Sequence, residues 1–313
     1  MTTDVDASEE EPQEASEGPL QEETRVEESV RFYDGDYLSL ADTRGVTRAY
    51  PSKVILVAGP AASGKTTLLA SIYNKFQRGP FASLVFAGSR SLIAYERICF
   101  PGRLASDRDA EETSRTPRAN QPNFLHLGVR KQDLTSSRID LLFPDVSGEI
   151  FAEMESSNDA CRELTLLTRA DAVAIVVDAG RLADGGRRQS ARVSVDNFLR
   201  RCIEVGVIDT HTHVDIVISK WDLFASSESN ESFLNNMLAT LNDRYSHRVA
   251  KLHEFKVAAR PRDPSDLPLA FGVDDLLTDW TTTTPPSKPT DAPPPIHMRP
   301  FDRFSDALRL RRE

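Results

Sequence analysis

The segment GPAASGKT, residues 59–66, decides how this chain folds because of what stands on either side of it. Residues 53–58 (KVILVA) are an apolar, largely β-branched run, which predicts a strand buried on both faces. After the segment, apolar residues recur at helical spacing until about Phe76, and Gly79-Pro80 ends the predicted helix. A glycine-rich loop that joins a buried strand to an amphipathic helix is typical of an α/β domain.

Apolar runs and helical patterns alternate along the rest of the chain. The further predicted strands are Asn123–Val129, Ile139–Phe143, Ala172–Val177, Val214–Ile218 and Glu254–Ala258. The further predicted helices are about 151–169, 189–205, 232–247 and 273–280. The alternation predicts a mostly parallel sheet with helices on both faces, and the two successive strands without a helix between them predict one antiparallel edge strand. Residues 81–120 are predicted to be irregular.

The two ends of the chain differ in composition from the part between them. Residues 1–30 hold eleven acidic residues against one arginine, and we expect an acidic disordered tail there. Residues 281–313 begin as a Pro/Thr-rich linker and end in a predicted short, amphipathic, basic helix. Residues 31–280 suit one large α/β domain, and alternating apolar residues with Gly turns predict a short hairpin at 31–51.

Composition also excludes several classes of protein. The net charge of −10 equals that of the acidic tail, so the rest of the chain is neutral and no nucleic-acid partner is expected. Three scattered cysteines are too few for a disulfide framework or a zinc site. No apolar run approaches the length of a membrane span, and the acidic start is unlike a signal peptide. We therefore expect a cytoplasmic protein without a membrane span.

Residues 59–66 fit the phosphate-loop pattern G-x-x-x-x-G-K-[ST] without a mismatch. Glycine lets backbone N–H groups approach a polyphosphate, and the following helix N-terminus favours negative charge. Lys65 is predicted to reach the β- and γ-phosphates, and the Thr66 hydroxyl to hold Mg²⁺. The predicted nucleotide-binding residues of this region are Gly59, Pro60, Ala61, Ala62, Ser63, Gly64, Lys65, Thr66 and Thr67.

A second motif, Asp145-Val146-Ser147-Gly148, follows the predicted strand Ile139–Phe143. A carboxylate at that strand end can help to hold the Mg²⁺ bound by Thr66, and the Gly148 N–H can meet a γ-phosphate. In isolation, an Asp-Ser-Gly turn is common and has no function of this kind. Its position downstream of a phosphate loop favours the functional interpretation.

The third motif, Ser219-Lys220-Trp221-Asp222, follows the predicted strand Val214–Ile218. The Asp222 carboxylate can accept hydrogen bonds from N1–H and the 2-amino group of guanine, and adenine does not offer that pair. The alkyl stem of Lys220 can lie along the base. Alone, the motif is better interpreted as a surface ion pair at a strand end. After the first two motifs, it predicts guanine recognition.

In this order and after these strands, the three motifs resemble those of Ras-type (TRAFAC-class) P-loop GTPases, over about residues 53–280. The stretches GPFASLVFAGSRSLIAYERICF, TPR, LLFPDVSGE and ISKWDLF are similar to the bacterial double-GTPase group. The resemblance implies a role in bacterial multi-gene conflict or defence systems, together with protein partners that include a paired GTPase.

The resemblance also implies site residues outside the three motifs. Residues 257–260 (VAAR), with the predicted nucleotide-binding residue Ala259, take the place of the family's short base-contacting loop (Ser-Ala-Lys). Arg260 stands where that loop has lysine, and Ser219 replaces an asparagine or threonine. Thr116, with Thr113 as the alternative, takes the place of the switch-loop threonine that binds Mg²⁺ and the γ-phosphate.

Glu149 stands where many family members have a water-orienting glutamine. Its carboxylate can orient or deprotonate water, but it is repelled by a γ-phosphate, so the predicted hydrolysis is slow or depends on a partner. Glu149, Thr116 and Lys65 are the predicted catalytic residues of a GTPase that hydrolyses GTP to GDP with Mg²⁺. The alternatives are a GTP- or GDP-loaded scaffold with negligible turnover, which acts by partner binding, and a P-loop ATPase or kinase.

Overall fold

The computed structural model describes residues 35–104, 123–133, 137–164, 167–224 and 226–282. The predicted acidic tail, the Pro/Thr-rich linker and the basic helix lie outside these residues. Among the helices that the model describes, none is both long and apolar enough to cross a membrane.

The described residues form strands and helices that alternate along most of the chain. The strands are β1 Ser52–Ala58, β2 Leu84–Gly88, β3 Phe124–Lys131, β4 Ile139–Pro144, β5 Ala172–Asp178, β6 His213–Ser219 and β7 Lys251–Lys256. The helices are α1 Leu40–Thr47, α2 Lys65–Arg78, α3 Leu92–Leu104, α4 Gly148–Ser156, α5 Asn158–Glu163, α6 Ala179–Ala183, α7 Arg188–Glu204, α8 Glu228–Tyr245 and α9 Val273–Thr282.

Within the described part of the chain, the seven strands form a single sheet in the order β2-β3-β4-β1-β5-β6-β7. Strand β3 is antiparallel to both of its neighbours, and the pairs from β4 to β7 are parallel. This confirms the predicted mostly parallel sheet with one antiparallel strand. That strand is not the edge of the sheet, however, because β2 pairs outside it.

Three local predictions are corrected by the structure. Residues 81–120 are not irregular throughout, since they contain β2 and α3. The helix predicted over 151–169 divides at Ser157, which is the C-cap of α4 and whose Oγ accepts a hydrogen bond from Ala160 N at the start of α5. Strand β7 begins and ends earlier than predicted.

The hairpin predicted at 31–51 is also wrong, because residues 40–47 form α1. A capping box starts this helix: Ser39 Oγ accepts from Asp42 N, and the Asp42 carboxylate accepts from Ser39 N at 3.0 Å. The only strand-like pairing of the described residues in this region is one bridge between Leu38 and Phe124. Local capping thus outweighs the alternating apolar pattern.

Helices cover both faces of the sheet, as predicted. Along β1, Ile55 and Val57 pack into a core with residues of α2, α3 and α9, whereas Leu56 and Ala58 pack into a core with residues of α4 to α8. Alternate side chains of a strand point to opposite faces, so one strand serves both cores. The carboxyl ends of β1, β4, β5 and β6 meet at one edge, which is where ligands bind to such sheets.

A buried carboxyl group lies in β6, away from that edge. Asp215 is fully buried, and Trp280 Nε1 donates a hydrogen bond to its Oδ2 at 2.9 Å. Its Oδ1 has no hydrogen-bond partner among the described residues. Burial raises the pKa of Asp215 from 3.8 to about 7, and the hydrogen bond from Trp280 opposes this shift only in part.

This pKa predicts a specific pH dependence of stability. Between pH 5 and pH 7 native Asp215 binds a proton that the unfolded chain has already released, so the free energy of unfolding falls as pH rises, by about 2 kcal/mol from this group. Urea unfolding at both pH values measures this decrease in the free energy of unfolding. The decrease should be smaller in Asp215→Asn than in the wild type by about that amount. Asp243→Asn, an exposed control, should retain the wild-type loss. Equal losses in all three proteins would contradict the prediction.

Candidate functional site

The loop between β1 and α2 passes close to the neighbouring strand β5. Gly59 has φ 152°, and a Cβ at this position would lie 2.7 Å from the carbonyl oxygen of Val176. No side chain fits there without moving the backbone of β5. The strand, loop and helix predicted around residues 59–66 are therefore present, and a glycine is required where the loop leaves the strand.

The start of α2 presents positive charge to this loop. No side chain caps the helix, and its first turn holds no acidic residue. Lys65 Nζ donates to the carbonyl oxygens of Gly59 at 2.7 Å and Pro60 at 3.0 Å. Burial lowers the pKa of Lys65 to about 8, and the nearby Asp145 carboxylate acts in the opposite direction. A half-buried amine beside an uncapped helix N-terminus makes a site that suits a polyanion.

The Asp145–Gly148 motif lies against the same loop. Gly148 is the first residue of α4, and a Cβ there would lie 2.6 Å from the Cα of Ala61. Only glycine allows this approach. Asp145 N donates to the carbonyl oxygen of Asn123 at 2.8 Å, which ties the motif to the start of β3. The two motifs that were predicted to bind phosphate and metal are therefore in contact.

A tyrosine from the N-terminal side of the domain reaches Asp145. The side chains of Tyr37 and Asp145 form a hydrogen bond, in which the phenol donates because an ionised carboxylate only accepts. Burial raises the pKa of Tyr37, and the charges of Asp145 and Asp36 raise it further. This residue was not predicted from the sequence, in which it stands 108 positions before its partner.

The third motif is joined to the phosphate loop by direct hydrogen bonds. Ser219 Oγ donates to the carbonyl oxygen of Ser63 at 2.6 Å. Lys220, in a left-handed conformation at φ 53°, places Nζ 2.8 Å from the carbonyl oxygen of Ala62. Serine at position 219 therefore still contacts the loop, although it is smaller than the asparagine or threonine that it replaces.

Asp178 is a member of the site that the sequence analysis missed. Its Oδ2 lies 2.8 Å from Lys220 Nζ, and its Oδ1 accepts from Gly180 N at the start of α6. In the sheet, Asp178 pairs with Ser219, so the ends of β5 and β6 lie side by side. An acidic residue directly after the predicted strand Ala172–Val177 was a usable signal, since the three recognised motifs also follow predicted strands.

Asp222 faces the loop that follows β7. Its Oδ2 accepts a hydrogen bond from Arg262 N at 3.0 Å, and Trp221 N donates to the carbonyl oxygen of Val257. Ala259 is buried in the same loop. The residues predicted to contact the base are thus brought together, and one carboxylate oxygen of Asp222 is oriented by the backbone.

The remaining predicted residues are Thr66, Thr67, Glu149 and the switch-loop threonine. Thr66 and Thr67 lie half-buried in the first turn of α2, and Glu149 is exposed in the first turn of α4. Thr116 and its alternative Thr113 lie outside the described residues. The roles of all these residues remain predictions.

The donor atoms at the site fit Mg²⁺. The Thr66 hydroxyl and the Asp145 carboxylate offer oxygen ligands, which Mg²⁺ prefers, and Mg²⁺ is commonly held by one or two such protein ligands together with substrate phosphates. The Asp145 charge also raises the pKa of Lys65, the predicted phosphate ligand, so the carboxylate lies near that amine.

A phosphate loop, an Asp-x-x-Gly turn and a Lys-x-Asp motif, in contact at the carboxyl edge of a mostly parallel sheet, define a P-loop protein of the TRAFAC GTPase class. The model of the Double-GTPase 2 family matches residues 53–281, most of the chain. The protein belongs to this family and is a GTP-binding P-loop protein. No curated protein matches the sequence.

The chain is also similar to solved structures that contain GTP, a GTP analogue or GDP. The signal recognition particle receptor SRb-GTP/SRX complex of Chaetomium thermophilum is 17% identical, with a TM-score of 0.38 over 69% of this chain and 94% of that chain. Elongation factor SelB of Methanococcus maripaludis, with the GTP analogue GPPNHP, is 13% identical, with a TM-score of 0.39 over 78% of this chain and 36% of that chain. Methanosarcina barkeri Roco2 RocCORdC bound to GDP is 14% identical, with a TM-score of 0.38 over 79% of this chain and 50% of that chain.

Proposed function

We propose that this protein binds GTP together with Mg²⁺ and hydrolyses it to GDP and inorganic phosphate. The observation that carries the proposal is the pair of hydrogen bonds from Ser219 and Lys220 to carbonyl oxygens of the phosphate loop. They join a carboxylate suited to guanine to a cationic loop suited to polyphosphate. A nucleotide that spans both would be held at its base and at its phosphates.

At the phosphate end, the Lys65 amine would exchange the carbonyl oxygens of Gly59 and Pro60 for the β- and γ-phosphate oxygens. That exchange is favourable because a phosphate carries full negative charge, whereas a carbonyl oxygen carries only a partial one. The N–H groups of the first turn of α2 would donate to the same oxygens.

Thr66 and Asp145 would hold the metal ion, and Thr116 of the segment outside the described residues completes the proposed set. When bound, Mg²⁺ neutralises charge that develops on the phosphate oxygens. The Gly148 backbone, packed against Ala61, would place its N–H beside the γ-phosphate.

Glu149 is proposed to orient the water that attacks the γ-phosphorus. A bond forms between the water oxygen and phosphorus, the bond to the β–γ bridging oxygen breaks, and the water proton passes to Glu149 or to the phosphate. The exposed position of Glu149, in the first turn of α4, leaves its carboxylate accessible to water. Its negative charge is repelled by that of the γ-phosphate, so turnover is expected to be slow without a partner.

Single-turnover hydrolysis tests this proposal. Glu149→Ala should lower the rate of GTP hydrolysis by roughly 10²- to 10⁴-fold, the usual contribution of a general base, while changing GTP affinity little. Glu153→Ala, one turn further along α4, serves as a matched control and should hydrolyse GTP at the wild-type rate. An unchanged rate in Glu149→Ala would remove this residue from the catalytic machinery.

The repulsion between Glu149 and a γ-phosphate favours a second candidate function, a nucleotide-loaded scaffold that acts through partner binding. A wild-type rate equal to that of GTP in buffer, with tight GTP binding, would support the scaffold over the enzyme. In either case the proposed setting is a bacterial conflict or defence system, as the double-GTPase resemblance implies, with a second GTPase as a partner.

A further inference from the structure

The four-residue segment Gly35–Leu38, which ends just before the N-cap of α1, connects parts of the domain that lie far apart in the chain. We call this segment the N-terminal brace. It precedes residues 53–281, the part that matches the family model. The family match therefore assigns no role to the brace.

The brace is fixed at three points. The Gly35 carbonyl oxygen accepts hydrogen bonds from Ile93 N at 2.7 Å and Ala94 N, at the start of α3. Asp36 forms an ion pair of 2.5 Å with Arg97 on the same helix. Leu38 exchanges two backbone hydrogen bonds of 2.9 Å with Phe124, the first residue of β3. These contacts hold the intervening Tyr37 in place.

Tyr37 lies where two chain segments approach the start of β3. Leu38, the next residue, pairs with Phe124, and Asp145 N donates to the carbonyl oxygen of Asn123, the residue before Phe124. Tyr37 and Asp145 therefore meet across one strand end, and their side chains form a hydrogen bond. The Tyr37 ring packs against the core that includes α2 and α3.

We propose that Tyr37 is a positioning residue that holds the Asp145 carboxylate ready for the Mg²⁺ ion of a bound nucleotide. The proposal rests on the proposed function. A carboxylate has about four acceptor sites on its two oxygens, and the phenol occupies only one of them. Without the phenol, attraction to the neighbouring Lys65 amine, on which the Asp145 charge already acts, should shift the carboxylate toward that amine.

In this arrangement, the Mg²⁺ dependence of nucleotide binding is the property that loss of the Tyr37 phenol should change. Hydrogen-bond partners of metal ligands typically alter metal affinity by 10- to 100-fold when they are removed. Nucleotide binding without Mg²⁺ depends on the phosphate loop and the base motif, which Tyr37 does not contact in any described interaction. Loss of the phenol should therefore weaken only the Mg²⁺-dependent part of binding.

The experiment uses the full chain with a fluorescent GDP analogue, whose release rate is measured in EDTA and over a Mg²⁺ titration. In Tyr37→Phe, the Mg²⁺ concentration that half-suppresses release should rise about tenfold, and release in EDTA should stay within about twofold of the wild type. Tyr73→Phe, which loses a hydrogen bond from α2 to Glu96 of α3, is the control and should behave as the wild type. In an Asp145→Asn background, Tyr37→Phe should add no further shift.

A wild-type Mg²⁺ midpoint in Tyr37→Phe would overturn the inference while leaving the proposed function standing. Faster release in EDTA as well would show that Tyr37 merely supports the fold, which also overturns it. A wild-type protein that binds GDP without any dependence on Mg²⁺, or not at all, would instead refute the proposed metal site or nucleotide site. An added shift in the Asp145→Asn background would show that Tyr37 acts through another residue.

Discussion

Replacing Lys65 with alanine is expected to reduce GTP affinity about a hundredfold or more. The amine would make at least two charge-assisted hydrogen bonds to phosphate oxygens, each worth about 1.5–3 kcal/mol. Even the lower figure for two bonds corresponds to about two orders of magnitude in the dissociation constant. Isothermal titration of purified protein with GTP and Mg²⁺ would measure this loss.

The fold of Lys65→Ala should survive, so loss of binding can be separated from unfolding. In the structure, the amine donates only to two carbonyl oxygens of its own loop among the hydrogen bonds described, and its burial disfavours the charge. Lys75→Ala removes the same charge from the same helix, near Phe81 and away from the loop, and should bind GTP as the wild type does. Wild-type affinity in Lys65→Ala would refute the phosphate-loop assignment.

The parts of the site that the sequence predicted are those with short-range patterns. The phosphate loop is recognisable because strand, loop and helix are consecutive, and its glycines meet local steric needs such as that at Gly59. The ends of β4 and β6 were predictable because parallel strands buried on both faces are continuous apolar runs. Residues after such strands converge for topological reasons, which brought the three motifs to one edge.

The parts that were missed depend on tertiary contacts. Strand β2 has five residues and a mixed burial pattern, as suits the outer strand of a sheet, so its residues alternate poorly. Helix α3 exposes Leu92, Ile93 and Phe100, which obscures its apolar face. Tyr37 acquires its partner only because Leu38 pairs with β3, a contact between positions 86 residues apart. No local pattern encodes such a contact.

Asp222→Asn is expected to change which base the protein prefers. The carboxylate can accept from both guanine N1–H and the 2-amino group, whereas the asparagine amide accepts at one atom and donates at the other. The amide donor would then face a base donor, so GTP should lose about 2–4 kcal/mol, from one charged hydrogen bond and one unpaired group. Xanthine has a carbonyl at the 2-position, and there the amide donor finds an acceptor.

The structure supports a change at this position without loss of the fold. Asp222 Oδ2 accepts from Arg262 N at 3.0 Å, and an asparagine oxygen can accept the same bond. The stacking of Trp221 on Phe224, with ring centroids 4.5 Å apart, involves neither oxygen. The variant should therefore keep the loop in place and alter only the hydrogen-bonding groups offered to the base.

Titrations of wild type and Asp222→Asn with GTP, XTP and ATP provide the measurement. The wild type should prefer GTP to both other nucleotides, and the variant should prefer XTP to GTP. Asp266→Asn, an exposed aspartate of the loop after β7, makes the same chemical change and should leave the wild-type order intact. If the wild type binds ATP as tightly as GTP, the carboxylate does not read the base, and the P-loop ATPase or kinase alternative gains. If the wild type prefers GTP and Asp222→Asn keeps that preference, another group selects guanine. The backbone of Ala259 is then the next candidate, because it lies in the loop that Asp222 faces.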